Sequence, residues 1–161
     1  MKIVELPPLI WTNYQIEPKK IKATNTGHTL IISAKWHVER PYLRGGPLIG
    51  KYVFSQLHFH WGRTCMEGSE HTVDGTQMPM EMHVVHFKTS YLTQESALRE
   101  KDGVVLVAYL FKLQATDNPL LTTVLKALES CREPHTSTKL PSKPISELMK
   151  YFDSDYCVYW S

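Results

Sequence analysis

Between Phe54 and Trp61 the chain reads Phe-Ser-Gln-Leu-His-Phe-His-Trp, and this alternation leaves few options for the fold. In an extended strand, alternate side chains share a face. Gln56, His58 and His60 then point one way, and Leu57, Phe59 and Trp61 point the other. The apolar set has to enter a core. The polar set has to line water, a cavity or a metal. A second run at residues 80–87 has the same character, with Glu81, His83 and Val85 on one face and Met82, Val84 and His86 on the other. As neighbours in one sheet, the two strands would bring a third imidazole to the first two.

The rest of the chain fits a sheet-based domain. Residues 22–33 are rich in β-branched side chains and break at Asn25-Thr26-Gly27, while Arg44-Gly45-Gly46-Pro47 reads as a turn. The run 51–61 closes at Gly62, and a polar loop leads to 80–87. Residues 103–113 form a nearly continuous apolar stretch, the pattern of a strand buried on both faces. Asp117-Asn118-Pro119 is a helix start, followed by Leu120, Leu121, Val124, Leu125 and Leu128 at helical spacing. Residues 131–146 read as a loop and 145–151 as a short helix. The expectation is a single mainly-β domain over residues 1–161, with a twisted, largely antiparallel central sheet and a few peripheral helices.

Composition narrows the function classes. With 42% hydrophobic and 21% charged residues, the chain is globular rather than disordered. Eighteen basic and sixteen acidic residues leave a formal charge of +2 with no basic stripe, which argues against a nucleic-acid partner. The longest apolar run, 104–111, falls well short of the roughly 18 residues of a membrane span. Cys65, Cys131 and Cys157 form no C-x-x-C pair, and three cysteines cannot pair completely within one chain.

Three neutral imidazoles suit Zn²⁺ and leave a fourth tetrahedral position open. Ligand histidines also need an outer acceptor for the second ring nitrogen, and Gln56 and Glu81 each stand two residues before a histidine on its own face. An isolated H-x-H is as readily a chance or core pair as a ligand pair, so spacing alone leaves both readings open. His86 faces away by strand parity, His71 reads as structural, and His37 and His135 read as surface residues.

Three motifs then meet in order: Gln56-Leu57-His58-Phe59-His60-Trp61-Gly62, Gly68-Ser69-Glu70-His71-Thr72-Val73-Asp74, and Glu81-Met82-His83-Val84-Val85-His86-Phe87. Together they resemble the α-class carbonic anhydrase signature. Asn25-Thr26-Gly27-His28, Gly45-Gly46-Pro47-Leu48 and Asp102-Gly103-Val104-Val105-Leu106 are similar to flanking pieces of that family. The resemblance implies Zn²⁺ held by His58, His60 and His83, with Gln56 and Glu81 as outer partners. It implies that Glu70 is the buried carboxylate orienting a gating threonine, that His28 is the proton shuttle, and that Val85 and Leu106 wall the carbon dioxide pocket. The implied activity is the reversible hydration of carbon dioxide to bicarbonate, a lyase reaction on a small-molecule substrate.

Departures from the family pattern accompany the matches. Thr26 replaces the usual asparagine, and Leu106 is bulkier than the valine often found there. The upstream Gln-Ser-Pro segment and the downstream Leu-Thr-Thr-Pro-Pro loop with its gating threonine do not occur in these 161 residues. The chain therefore reads as an incomplete family domain. A catalytically weak or inactive zinc-binding module stands as the alternative. Its location would be cytosolic if Met1 is the true start, and secreted or membrane-anchored if a segment precedes it. The sequence does not indicate an oligomeric state.

Overall fold

A computed structural model describes residues 6–149 and 156–159. The elements run β1 (Leu9–Thr12), β2 (Lys20–Asn25), β3 (Leu30–Lys35), β4 (Tyr42–Gly45), β5 (Leu48–Trp61), β6 (Thr72–Val73), β7 (Thr76–Gln77) and β8 (Met80–Lys88). Then come α1 (Gln94–Ala97), β9 (Val104–Phe111), α2 (Pro119–Ser130), β10 (Ser137–Leu140) and α3 (Ile145–Met149). Eight of the strands form one antiparallel sheet, and β6 and β7 form a small hairpin apart from it. The mainly-β expectation holds.

β5 organises the sheet because it is long enough to have several neighbours. Its first half pairs with β4 and its second half with β3, while β8 pairs along its other side. Outward from these lie β2 and β10 on one flank and β9 on the other. One face is closed by an apolar cluster that includes Leu30, Ile32, Leu57, Phe59, Met82 and Val84, all fully buried. α2 packs on the same side through Leu120, Val124 and Ala127. Its start is as the sequence suggests, with the Asn118 side chain accepting from Leu120 N at 2.9 Å and Pro119 in the first turn.

One irregularity decides which side chains reach which face. The β5–β8 register shifts between Phe54 and Gln56, which leaves Ser55 as a bulge. Strict alternation would put Phe54 on the same side as Gln56 and His58. The extra residue turns it over, so Phe54 enters the core opposite His86. There the His86 ring bonds to the Tyr14 hydroxyl among Trp11 and Phe54.

Several expectations are corrected. The apolar stretch 103–113 is not buried on both faces. β9 pairs with β8 alone among the described residues, and Leu106 is 43% exposed. Trp61 does not follow Leu57 and Phe59 into the core; at the end of β5 it remains 47% exposed. The loop 131–146 contains β10, which pairs with β2 as a flanking strand, and the polar loop before residue 80 contains the β6–β7 hairpin. The helix expected over 145–151 is seen as α3 up to Met149, and the remainder lies outside the described residues.

Candidate metal centre

Register brings the histidines together. His58 stands opposite His83, and His60 opposite Glu81, while Gln56 stands opposite Val85. Directly opposed residues share a face, so β5 and β8 present one continuous patch away from the apolar core. The ring centroids of His58 and His60 are 5.0 Å apart, those of His58 and His83 5.1 Å, and those of His60 and His83 4.5 Å. One nitrogen from each ring lies within 4.8 Å of the others.

Two of the three rings are held from behind. His58 Nδ1 bonds to Gln56 Oε1 at 3.1 Å, and His83 Nε2 bonds to Glu81 Oε1 at 2.5 Å. These acceptors fix the tautomers and leave His58 Nε2 and His83 Nδ1 with lone pairs. His60 Nε2 is buried without a hydrogen-bond partner among the described residues, as is His86 Nδ1 in the core, but only the His60 nitrogen belongs to the three converging rings, where an ion would satisfy it. Burial, with His83 and His60 close by, pushes His58 down to about 4, so it is neutral and ready to donate at pH 7. Burial pushes His60 down as well, against the pull of Glu70. Three converging imidazoles, one of them with a buried unpartnered nitrogen, fit a Zn²⁺ ion.

Glu81 is fully buried, and burial alone would raise its pKa. The backbone N–H of His71 at 2.9 Å and the rings of His83 and His71 outweigh that and hold the carboxyl below its usual range. His71 also bonds through its other ring nitrogen to the Tyr159 hydroxyl. A line of hydrogen bonds therefore runs from His83 through Glu81 and His71 to Tyr159. His71, Glu81 and His83 form a second group that could hold a metal. Both Glu81 oxygens are already bonded, however, which suits support behind His83 better than a second ion. The sequence reads His71 as structural, in keeping with its bonds to Glu81, and does not single out Tyr159. The adjacency of His71 to Glu70 was the available signal, and nothing local marked Tyr159.

The remaining candidates are placed differently. Glu70, expected to be buried, keeps 59% of its side-chain exposure, with Oε1 3.4 Å from His60 Nδ1 and Oε2 3.9 Å from His83 Nδ1. It sits on an irregular segment between β5 and the β6–β7 hairpin, and the described residues leave it open to solvent. Val85 is buried and faces Leu106 directly across the β8–β9 pair, beside the histidine patch. His28 is exposed in the β2–β3 turn, and its neighbour Thr29 donates through its hydroxyl to Phe59 O at 2.5 Å, between His58 and His60. A cavity of about 150 Å³ lies away from the histidines, lined by Ile21, Ile32, Leu120 and Val124.

A family model described as eukaryotic-type carbonic anhydrase matches residues 1–161. Over 157 residues the chain is 34% identical to a protein named Carbonic anhydrase 6 from Mus musculus, covering 96% of this chain and 48% of the relative. Carbonic anhydrase 6 from Canis lupus familiaris is 32% identical over 158 residues, with the same coverage of 96% and 48%. Carbonic anhydrase 3 from Homo sapiens is 40% identical over 89 residues, which are 55% of this chain and 34% of that protein. The chain thus spans about half the length of the curated relatives that it matches most fully.

Proposed function

The chain belongs to the eukaryotic-type carbonic anhydrase family, and on that footing we propose that it holds Zn²⁺ through His58, His60 and His83 and serves the reversible hydration of carbon dioxide to bicarbonate. The observation that carries this reading is the convergence of three imidazoles, two tethered from behind and one with a buried orphan nitrogen. When bound, Zn²⁺ brings the pKa of a coordinated water down to about 7, an established property of carbonic anhydrase zinc rather than one derived from this chain.

The protein's own groups have separate tasks. Gln56 and Glu81 fix the rings of His58 and His83 so that binding needs no reorientation. Val85 and Leu106 supply apolar surface beside the patch, suited to an uncharged substrate with no hydrogen to donate. His28 accepts the proton that each turnover releases and passes it to buffer. Imidazole suits this task because its charge changes between about pH 5 and 8.

A second reading, a zinc-holding module without turnover, draws on Glu70. Among the described residues its carboxylate meets imidazoles and no hydroxyl that it could orient. The test is zinc content together with stopped-flow carbon dioxide hydration, on the wild-type chain and on His83→Ala. The expected result is one zinc per chain, measurable hydration, and loss of affinity by orders of magnitude in the variant, since a three-ligand site has no spare donor. Full zinc occupancy in His83→Ala would overturn the ligand assignment. Zinc without hydration would favour the second reading.

A further inference from the structure

The turn carrying His28, residues 26–29, is held on two sides. Within it, Thr26 N donates to Thr29 O at 3.0 Å, and the Thr26 hydroxyl accepts from the N–H groups of His28 at 3.3 Å and Thr29 at 3.1 Å. Thr29 fixes one side to β5 through its bond to Phe59 O. Asn25, the last residue of β2, fixes the other side. Its Nδ2 donates to the carbonyls of Cys131 and Arg132, at 3.0 Å each, just beyond the end of α2. Its Oδ1 accepts from Gly27 N at 2.8 Å. Its backbone N–H donates to Thr136 O at 2.9 Å, and its carbonyl accepts from His135 N at 2.8 Å.

The choice of side chain is informative. Asparagine offers two donors and an acceptor on a single-carbon stem, whereas aspartate lacks the donors and serine has only one. All three capacities of the Asn25 amide are used, with the acceptor turned to the N–H directly before His28. Gly27 has a φ of +87°, and a Cβ placed there would lie 3.6 Å from Pro134 Cβ, so the turn runs beside the segment that Asn25 grips. Fixing the turn between β5 and the end of α2 fixes the origin of the His28 side chain relative to the strand bearing His58 and His60.

We propose that Asn25 is a positioning residue for His28: its amide clamps the turn to the end of α2 and thereby sets the distance over which His28 takes protons from the metal face. The proposal rests on the reading of His28 as proton acceptor. It assigns Asn25 no contact with substrate or metal.

Isotope exchange between carbon dioxide and water at equilibrium separates two rates in the zinc-loaded protein: interconversion of carbon dioxide with bicarbonate, and proton-dependent release of labelled water. Asn25→Ala should lower the release rate by about tenfold, short of the ~100-fold that a full ångström of misplacement can cost, with interconversion unchanged. Imidazole buffer should restore release. Asn25→Asp keeps the acceptor for Gly27 and offers no donor to the two carbonyls, so it should behave like Asn25→Ala. Adding His28→Ala to Asn25→Ala should cost little more, because the two act on one step. Independently of zinc, the Gly27 amide should exchange its hydrogen about tenfold faster in Asn25→Ala while core amides such as Leu57 are unaffected. Equal losses in both rates, additive losses in the double variant, or an unchanged Gly27 amide would overturn the proposal. A wild-type protein that binds zinc but shows no interconversion would instead sink the proposed function, and the clamp would then be decided by the Gly27 amide alone.

Discussion

His58 and His83 stand directly opposite each other on β5 and β8, their rings 5.1 Å apart, with Ile31 on one side of the row and Ala108 on the other. The pairing is a consequence of core packing. Leu57, Phe59, Met82 and Val84 fill the opposite face, and a slip of one residue in either strand would drive that strand's histidines toward the core and bring its apolar set out. The candidate metal patch is therefore set in place by side chains that never touch it. Ala108, the smallest member of the row, leaves room beside His83.

Glu81→Gln tests the support behind His83. Glutamine retains the shape and one acceptor but loses the charge that the His71 N–H and the two rings stabilise. Zinc affinity, measured against a competing chelator, should fall by about 10- to 100-fold, as expected when the outer partner of a ligand histidine is altered. Unchanged affinity would mean that the bond from Glu81 to His83 does not tune the ligand.

Acid stability should report on His86. Burial pushes this ring down from 6.5 to about 4, and the nearby backbone of Val105 and Val84 offsets this only in part. The unfolded chain binds the proton near pH 6.5 and the folded chain only near 4, so the neutral ring contributes fully above about 6.5 and the contribution is lost as pH falls toward 4. In zinc-free protein, urea midpoints should drop across this window. His86→Gln, which keeps a hydrogen-bonding group for Tyr14 but does not titrate, should flatten the drop. Equal slopes in the two proteins would remove His86 as its source.

Much of this arrangement was legible because strand parity is a local rule. Residues 56–61 and 80–87 declare their faces in their own sequence, and Asn118-Pro119 declares a helix start. What escaped depends on neighbours. Ser55 carries no sign that it is a bulge, and only the cross-strand register shows that Phe54 turns inward. The run 103–113 looks buried on both faces because its composition does not say that, among the described residues, β9 pairs with β8 alone. The exposure of Glu70 and the bond between His71 and Tyr159, 88 positions apart, are likewise matters of which segments meet.

The bulge itself makes a sharp prediction. Ser55→Ala removes one hydroxyl that bonds to Gln94 and should cost about 1 kcal/mol. Deleting Ser55 makes Phe54 and Gln56 consecutive on a regular strand, which keeps Phe54 in the core opposite His86 and leaves Gln56, His58 and His60 on the other face. The deletion should therefore keep cooperative unfolding, with a midpoint close to that of Ser55→Ala, whereas turning a buried phenylalanine out would cost about 3–5 kcal/mol. Loss of cooperative unfolding in the deletion variant would show that the bulge does more than set the facing of Phe54.

Among the described residues β9 has one open side, which should make the chain self-associate. Antiparallel pairing uses the N–H and C=O of alternate residues, and Lys88 N donates to Gly103 O at 2.8 Å. Counting on from that pair, His86 with Val105 and Val84 with Val107 exchange hydrogen bonds, so the backbone groups of Leu106 and Ala108 point away from β8. Both residues are exposed, and the strand Val-Val-Leu-Val-Ala-Tyr-Leu-Phe carries no charge or proline to discourage a second strand. Such an edge is a template for pairing with another chain. Sedimentation over a micromolar concentration range should show association in the wild-type chain. Leu106→Lys, a charge placed on that edge, should shift the distribution toward monomer while leaving the far-ultraviolet spectrum intact. Association that persists undiminished in Leu106→Lys would place the contact on another surface.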